Sequence, residues 1–280
     1  MTMRYARAPG RRHHGGWQVH TGGVTLHWLF MLLAYAVYAA PAAAGELVKV
    51  PSRDGVRVTM FWQESAKAVG TVLLFPGGGG GFGQIQAGAP TSRNFVVRSH
   101  RYFVDGGYNV AIFGRPSDSD ELDYADRISA PHLADIEAVL AEVQRRSELP
   151  IWLVATSRGT ISATHAAIHL QSKQLAGLVL TASVVSFKKP GAIPRQSIAR
   201  IQLPTLVVHH KRDGCVHCQP HEVGNILNGL TGTRYKQLLW VDGGHSPVGD
   251  PCAGQHFHGF INYEQETVAG ILAWMRAAPR

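Results

Sequence analysis

Ser157 stands between two very small residues at minus two and plus two, Ala155 and Gly159, in the run Ile151-Trp152-Leu153-Val154-Ala155-Thr156-Ser157-Arg158-Gly159-Thr160. The β-branched and aromatic residues up to Ala155 predict a strand, and the small residues over 159–167 predict a helix. A chain that turns straight from strand into helix can hold a serine above the sheet edge only if its flanking residues are this small. The pattern is G-x-S-x-G with the first glycine replaced by alanine, and the chemistry it suits is acyl transfer. A serine hydroxyl is a poor nucleophile at its own pKa, so a base and an orienting acid must follow.

Where serine sits on such a turn, the chain order is serine, then Asp or Glu, then His. Asp213 is the only carboxylate in the turn His210-Lys211-Arg212-Asp213-Gly214, which follows an apolar strand-like run. For the base there are two candidates. His245 lies in Gly243-Gly244-His245, directly after a strand, and His258 lies in His256-Phe257-His258-Gly259-Phe260, just before the last helix. Residues 246–255 separate these two landmarks, and the spacing alone leaves both histidines open. The glycine run Pro76-Gly77-Gly78-Gly79-Gly80-Gly81-Phe82-Gly83 lacks the Gly-Lys-Ser/Thr ending of a phosphate-binding loop. It suits instead a turn whose backbone N–H must approach a reacting carbonyl oxygen without a side chain in the way. Gly78 N–H with Arg158 N–H is the expected oxyanion hole, and Gly77 or Gly79 can supply the second donor equally well.

His209, His210, Cys215, His217, Cys218 and His221 crowd one segment, and Cys215-x-x-Cys218 is a zinc spacing. No second Cys-x-x-Cys or His-x-x-x-His pair completes a tetrahedral set, so no metal and no cofactor is expected.

The elements that must position these residues alternate. Strand-like runs at 46–50 and 56–62 flank an Asp-Gly turn and predict an antiparallel hairpin. The continuous apolar run at 71–75 suits a strand buried on both faces, the mark of a parallel sheet covered by helices. Beyond it the pattern predicts a helix near 95–105, a strand at 109–113 and an amphipathic helix over 131–146 carrying Leu133, Ile136, Leu140 and Val143 on one face. Further strands are predicted at 175–181, 205–209 and 235–241, with a last helix over 263–276 whose capping box is Asn262 and Gln265. Few residues lie between 181 and 205, so no large helical lid can cover Ser157 from there, which argues against a lidded lipase. Arg115, Asp118 and Arg158 are candidate polar contacts at the mouth of the site.

The 280-residue chain has a net charge of +8, but Arg4, Arg7, Arg11 and Arg12 lie in a head without acidic residues, and residues 45–280 carry only +4. No long basic run remains, which excludes nucleic acid as the expected partner. The head reads as an export signal: basic residues, an apolar run over 24–40, then Pro41-Ala42-Ala43-Ala44 before Gly45. The apolar run is short for a membrane span. Residues 1–44 are therefore expected to be a signal peptide cleaved after Ala44, and residues 45–280 a periplasmic or secreted domain without stable membrane insertion once the signal is removed. The oligomeric state is left open.

Four stretches, Asn94-Phe95-Val96-Val97-Arg98-Ser99, Arg115-Pro116-Ser117-Asp118, Ala155 to Thr160, and Asp250-Pro251-Cys252 with His258-Gly259-Phe260, together resemble a group of bacterial exported α/β-hydrolase-fold proteins, mostly uncharacterised serine hydrolases. The resemblance spans nearly all of residues 45–280. It implies an α/β-hydrolase fold: a mostly parallel central sheet with helices on both faces and no large lid. In that group the closing Cys and His-Gly-Phe elements recur while the position of His245 varies, so the resemblance implies His258 as base. An exported protein can oxidise its thiols, and three cysteines allow one bridge. Cys215 follows Asp213 and Cys252 precedes His258, so a Cys215 to Cys252 disulfide tying the acid loop to the base loop is expected. The function these features imply is a serine hydrolase acting on a small-molecule acyl substrate through Ser157, His258 and Asp213. The alternative is a non-catalytic exported binding protein on the same scaffold, its Cys/His loop serving structure or metal.

Overall fold

The structure, a computed structural model, describes residues 44–170 and 172–279. The expected signal peptide lies, up to residue 43, outside the described residues. Eight strands form one sheet: β1 (Glu46–Pro51), β2 (Arg57–Gln63), β3 (Gly70–Phe75), β4 (Tyr108–Pro116), β5 (Ile151–Thr156), β6 (Leu175–Thr181), β7 (Thr205–His210) and β8 (Lys236–Val241). Their spatial order is β1-β2-β4-β3-β5-β6-β7-β8. β1 and β2 pair antiparallel through the hairpin at Ser52 to Gly55, β2 pairs antiparallel with β4, and every other neighbour is parallel.

The helices are α1 (Phe95–Arg98), α2 (His100–Asp105), α3 (Ala130–Arg146), α4 (Gly159–His169), α5 (Gly224–Gly229) and α6 (Glu264–Ala277). Side chains alternate across a strand, so each central strand feeds two cores. Leu73, Phe75, Leu153 and Ala155 pack with Ile136, Val139 and Val143 of α3 and Ile161 of α4. Val72, Leu74, Trp152 and Val154 pack on the other face with Phe103 of α2 and Val268, Ile271 and Met275 of α6. Burial on both faces explains why these strands read as continuous apolar runs rather than as alternating ones.

Two local expectations change. The helix expected near 95–105 is two short helices, because the His100 ring takes the Val97 carbonyl (Nδ1 to O 2.7 Å) that an uninterrupted helix would give to a later backbone N–H. The capping box at Asn262 is absent: Asn262 has φ 55° and donates its side-chain amide to the His245 carbonyl at 2.9 Å, and α6 begins after Tyr263 without a side-chain cap. Between β6 and β7 only two single-turn 3₁₀ segments occur, at Ile193–Arg195 and Ile198–Arg200, so no lid domain rises there. Among the described residues no helix is long and apolar enough to cross a membrane.

Candidate active site

Ser157 occupies the turn between β5 and α4 with φ 52°. A residue with a Cβ enters this left-handed region at a cost of about 1–3 kcal/mol, which surrounding structure must offset. The restraint is visible: Ser157 N–H donates to the Thr181 carbonyl at 3.1 Å, and the Ser157 carbonyl accepts from Thr160 N–H at 2.9 Å and its hydroxyl at 2.6 Å. A Cβ on Gly159 would stand 2.1 Å from the Phe75 carbonyl oxygen, and one on Gly77 would stand 2.7 Å from the Ser157 Cβ. The end of β3, the glycine turn and the start of α4 thus approach one another more closely than any side chain permits. Ala155, fully buried in β5, is accommodated because its methyl group points into the core shared with α3 and α4.

Asp213 and His258, the expected acid and base, lie on the loops after β7 and β8. Asp213 is buried; its Oδ1 accepts the Cys215 N–H at 2.9 Å, and its Oδ2 lies 2.9 Å from His258 Nδ1. The opposite ring nitrogen of His258, Nε2, is buried and makes no hydrogen bond within the protein. Ser157 and His258 line one cleft of 320 Å³ with Gly77, Gly78, Gly79 and Asn94. The Ser157 hydroxyl itself lies within hydrogen-bonding reach of the Cys218 thiol. His245 is in a different place: it is exposed, and its Nδ1 lies 3.2 Å from the Ser246 hydroxyl.

Cys215 and Cys252 are joined in a disulfide, with Cα atoms 4.4 Å apart, which fastens the acid-bearing loop to the chain leading into His258. Cys218 remains a free, buried thiol. Burial, with the nearby Asp213 carboxylate, pushes its pKa well up, so it stays a thiol and does not compete as a nucleophile. The sulfurs of Cys215 and Cys218 and a ring nitrogen of His258 lie within 4.8 Å of one another. The Cys215 sulfur is committed to the disulfide, leaving two donors where a tetrahedral site needs three or four. Of the remaining histidines in this segment, His209 Nε2 sits 2.9 Å from the Cys218 carbonyl and His210 Nε2 2.7 Å from the Gly243 carbonyl. Burial lowers both their pKa values, so neutral rings brace these loops.

A second cleft of 390 Å³ opens from Ser157 toward Gly78, Tyr124, Arg158, His217 and Cys218. Arg158 pairs with Glu121 at 2.9 Å and lies over the Tyr124 ring at 4.7 Å; Lys189 lies over the same ring at 4.7 Å. Burial first, then the cations Lys189 and Arg158, hold the His217 pKa down. Of the other two polar residues expected at the mouth, Asp118 is turned away in a pair with Arg53 at 3.0 Å, and Arg115 borders a different cleft beside Gly81 and Phe82. The N–H groups of Gly78, Gly79 and Arg158 make no hydrogen bond within the described protein, which leaves all three free as oxyanion donors. Sequence reasoning weighed His209, 3.4 Å from Asp213 Oδ2, only as a metal ligand, and passed over Arg127, buried beneath the glycine turn. The position of His209 four residues before Asp213 was the available signal, and Arg127 had none.

No protein-family profile matches the sequence, and no curated protein matches it. Solved structures do resemble it. An esterase of Pyrococcus furiosus superposes with a TM-score of 0.62 at 14% identity, covering 84% of this chain and 91% of that one. An α/β serine hydrolase homologue from Coxiella burnetii gives 0.57 at 17% identity, covering 83% and 97%. A serine hydrolase without a lid from Xanthomonas campestris gives 0.54 at 16%, covering 85% and 97%. With the strand order above, these similarities establish the α/β-hydrolase fold.

Proposed function

We propose that this protein is a serine hydrolase that cleaves an ester-type bond in a small-molecule acyl substrate through a Ser157, His258, Asp213 triad and an acyl-enzyme. The observation that carries the reading is the His258 imidazole, one nitrogen engaged by a buried carboxylate and the other bare and buried beside the cleft that Ser157 lines. The three fold neighbours are described as an esterase and serine hydrolases, which favours the same chemistry.

In the reaction the Ser157 hydroxyl turns from Cys218 to His258 Nε2 and passes its proton there as Oγ attacks the substrate carbonyl. Asp213 keeps the Nδ1 proton in place and stabilises the imidazolium. The developing oxyanion is taken by Arg158 N–H and by an N–H of the glycine turn, that of Gly78 or of Gly79. The imidazolium then protonates the leaving alcohol, and a water activated by the same base releases the acid. The cleft has no lid, which fits small soluble acyl donors. The disulfide fits an oxidising compartment, and a secreted or periplasmic domain of residues 45–280 is part of this proposal.

The test uses a fluorophosphonate probe and p-nitrophenyl acetate. Wild-type protein is labelled at Ser157 and turns the ester over, whereas Ser157→Ala, folded by circular dichroism, does neither. Unlabelled wild type favours the binding-protein alternative, and undiminished hydrolysis by Ser157→Ala sinks the assignment.

A further inference from the structure

Arg127 is only 2% exposed, in the 3₁₀ turn Asp126–Ile128 between β4 and α3, and none of the ion pairs among the described residues includes it. A buried guanidinium without a carboxylate at contact is costly and rare, so its position calls for a reason. Burial pulls its pKa down to about 9, which leaves it charged at neutral pH. Its Nη1 donates to the Ser162 hydroxyl at 3.0 Å, which lies 2.9 Å from His132 Nε2, and its Nη2 donates to the Gly78 carbonyl at 2.9 Å.

That carbonyl belongs to an unusually soft peptide. Gly80 N–H donates to the Gly77 carbonyl at 3.1 Å, which makes Gly77 to Gly80 a β-turn with Gly78 and Gly79 at its centre. Gly78 has φ 57° and Gly79 is not in the positive region, the pattern of a type II′ turn. With glycine at both central positions the type I′ turn is open too, and the two differ by a flip of the Gly78-Gly79 peptide. No side chain resists the flip at Gly78, because a Cβ built there meets nothing within 4 Å. Carbonyl and N–H point in opposite directions across a trans peptide. The Arg127 bond on one side therefore turns the N–H of this peptide, that of Gly79, to the other side, where Gly78 and Gly79 line the cleft with Ser157 and His258.

We infer that Arg127 is a positioning residue that locks this peptide so that its N–H, that of Gly79, and not the Gly78 carbonyl oxygen, faces the oxyanion formed at Ser157. The inference rests on the serine-hydrolase reading and adds to it the group that holds one half of the oxyanion hole in register. A flipped peptide would present a carbonyl oxygen to a developing negative charge, so the loss falls on the tetrahedral state and not on substrate binding.

The experiment compares wild type, Arg127→Met, Arg127→Lys and the double variant Arg127→Met/Gly79→Ala with p-nitrophenyl acetate and an aryl boronic acid, which forms a tetrahedral adduct on Ser157. Active sites are counted by fluorophosphonate titration. Arg127→Met is expected to lose about 100-fold in kcat, the scale of a misplaced catalytic group, with KM within about threefold. Boronate affinity falls by the same factor, and Arg127→Lys, which keeps a donor and the charge, loses less. Alanine at position 79 tolerates type II′ and disfavours type I′, and it displaces only the flexible Glu121 side chain. The double variant therefore recovers about tenfold in kcat over Arg127→Met. If Arg127→Met does not fold, the same rescue is read on Arg127→Lys. Normal kcat per titrated site with unchanged boronate affinity overturns the inference, as does absence of rescue by Gly79→Ala. A wild type that the probe does not label fails the serine-hydrolase reading instead.

Discussion

Asp213→Asn tests how tightly the acid dictates the chemistry of the base. Both carboxylate oxygens of Asp213 act as acceptors, Oδ1 for the Cys215 N–H and Oδ2 for His258 Nδ1–H, each at 2.9 Å. An amide has one acceptor oxygen and one donor NH₂, so asparagine can satisfy only one of these partners. If its oxygen stays on Cys215 N–H, its NH₂ faces Nδ1, and the imidazole proton moves to Nε2, which then cannot take the Ser157 proton. If the amide turns over, His258 keeps the working tautomer but the buried Cys215 N–H loses its acceptor, at about 1–3 kcal/mol. The inactive arrangement is therefore the favoured one, and the minority that remains has also lost the charge that stabilises the imidazolium. The expected loss in kcat/KM is about 10⁴-fold, or about 5 kcal/mol of transition-state stabilisation. The assay is p-nitrophenyl acetate hydrolysis, paired with the rate of fluorophosphonate labelling, which should slow in step, and with a thermal melt showing a folded variant. A folded Asp213→Asn enzyme within tenfold of wild type would refute the assignment of this carboxylate.

Three further expectations follow from the same geometry. Cys252→Ser removes a cross-link between residues 37 apart in sequence and should cost about 4 kcal/mol in urea unfolding; a loss under about 1 kcal/mol would show that the unfolded chain is not restrained as loop-closure entropy requires. The buried His132 has its pKa lowered from 6.5 to about 3, by burial first and then by Arg127, so the folded state resists a proton that the unfolded state accepts. Its contribution is complete above pH 6.5 and is lost as the pH falls from 6.5 toward 3, up to about 5 kcal/mol, so His132→Gln should flatten the acid limb of a stability-against-pH curve and an unchanged limb would contradict the burial effect. His258→Ala should lose about 10⁴-fold or more in kcat while His245→Ala stays within about twofold, and the reverse ranking would move the base to the exposed loop.

The turn at Ser157 was legible because its demand is local: a side chain at Gly159 would meet the end of β3, and small residues at fixed offsets are visible in a sequence. Asp213 stood out as the expected acid for a similar reason, being the only carboxylate in the turn after β7. Spacing left the two histidines open and the resemblance implied His258; only three dimensions show that His258 meets Asp213 while His245 meets Ser246. Asp118 reads from its neighbours as a site residue, yet Arg53, far back in the chain, claims it. The break at His100 and the absent cap at Asn262 have a related cause, side chains bonding to backbone carbonyls in ways that sequence periodicity does not reveal. Arg127 is the extreme case. A single arginine in an irregular segment reads as solvated surface, and its meaning comes wholly from the burial and the glycine turn that the fold places above it.

The site divides into parts held by different means. Ser157 and the N–H groups proposed as oxyanion donors sit on the sheet edge, pinned by Thr181, Thr160 and the close approach of Gly159 to β3. Asp213 and His258 sit on two loops that the disulfide fastens together. Between the halves the resting contact is unfinished: the serine hydroxyl leans on Cys218, a weak partner, and His258 Nε2 is buried without one. A buried nitrogen left unpaired costs about 1–3 kcal/mol, and the strained φ of Ser157 adds a cost of similar size. In the proposed reaction the first cost is relieved when the hydroxyl moves to Nε2, whereas the second is backbone strain that the contacts to Thr181, Thr160 and β3 continue to hold. The unpaired nitrogen thus stands at the atom that the proposed mechanism makes the proton acceptor, and the strained turn fixes the residue proposed to give that proton.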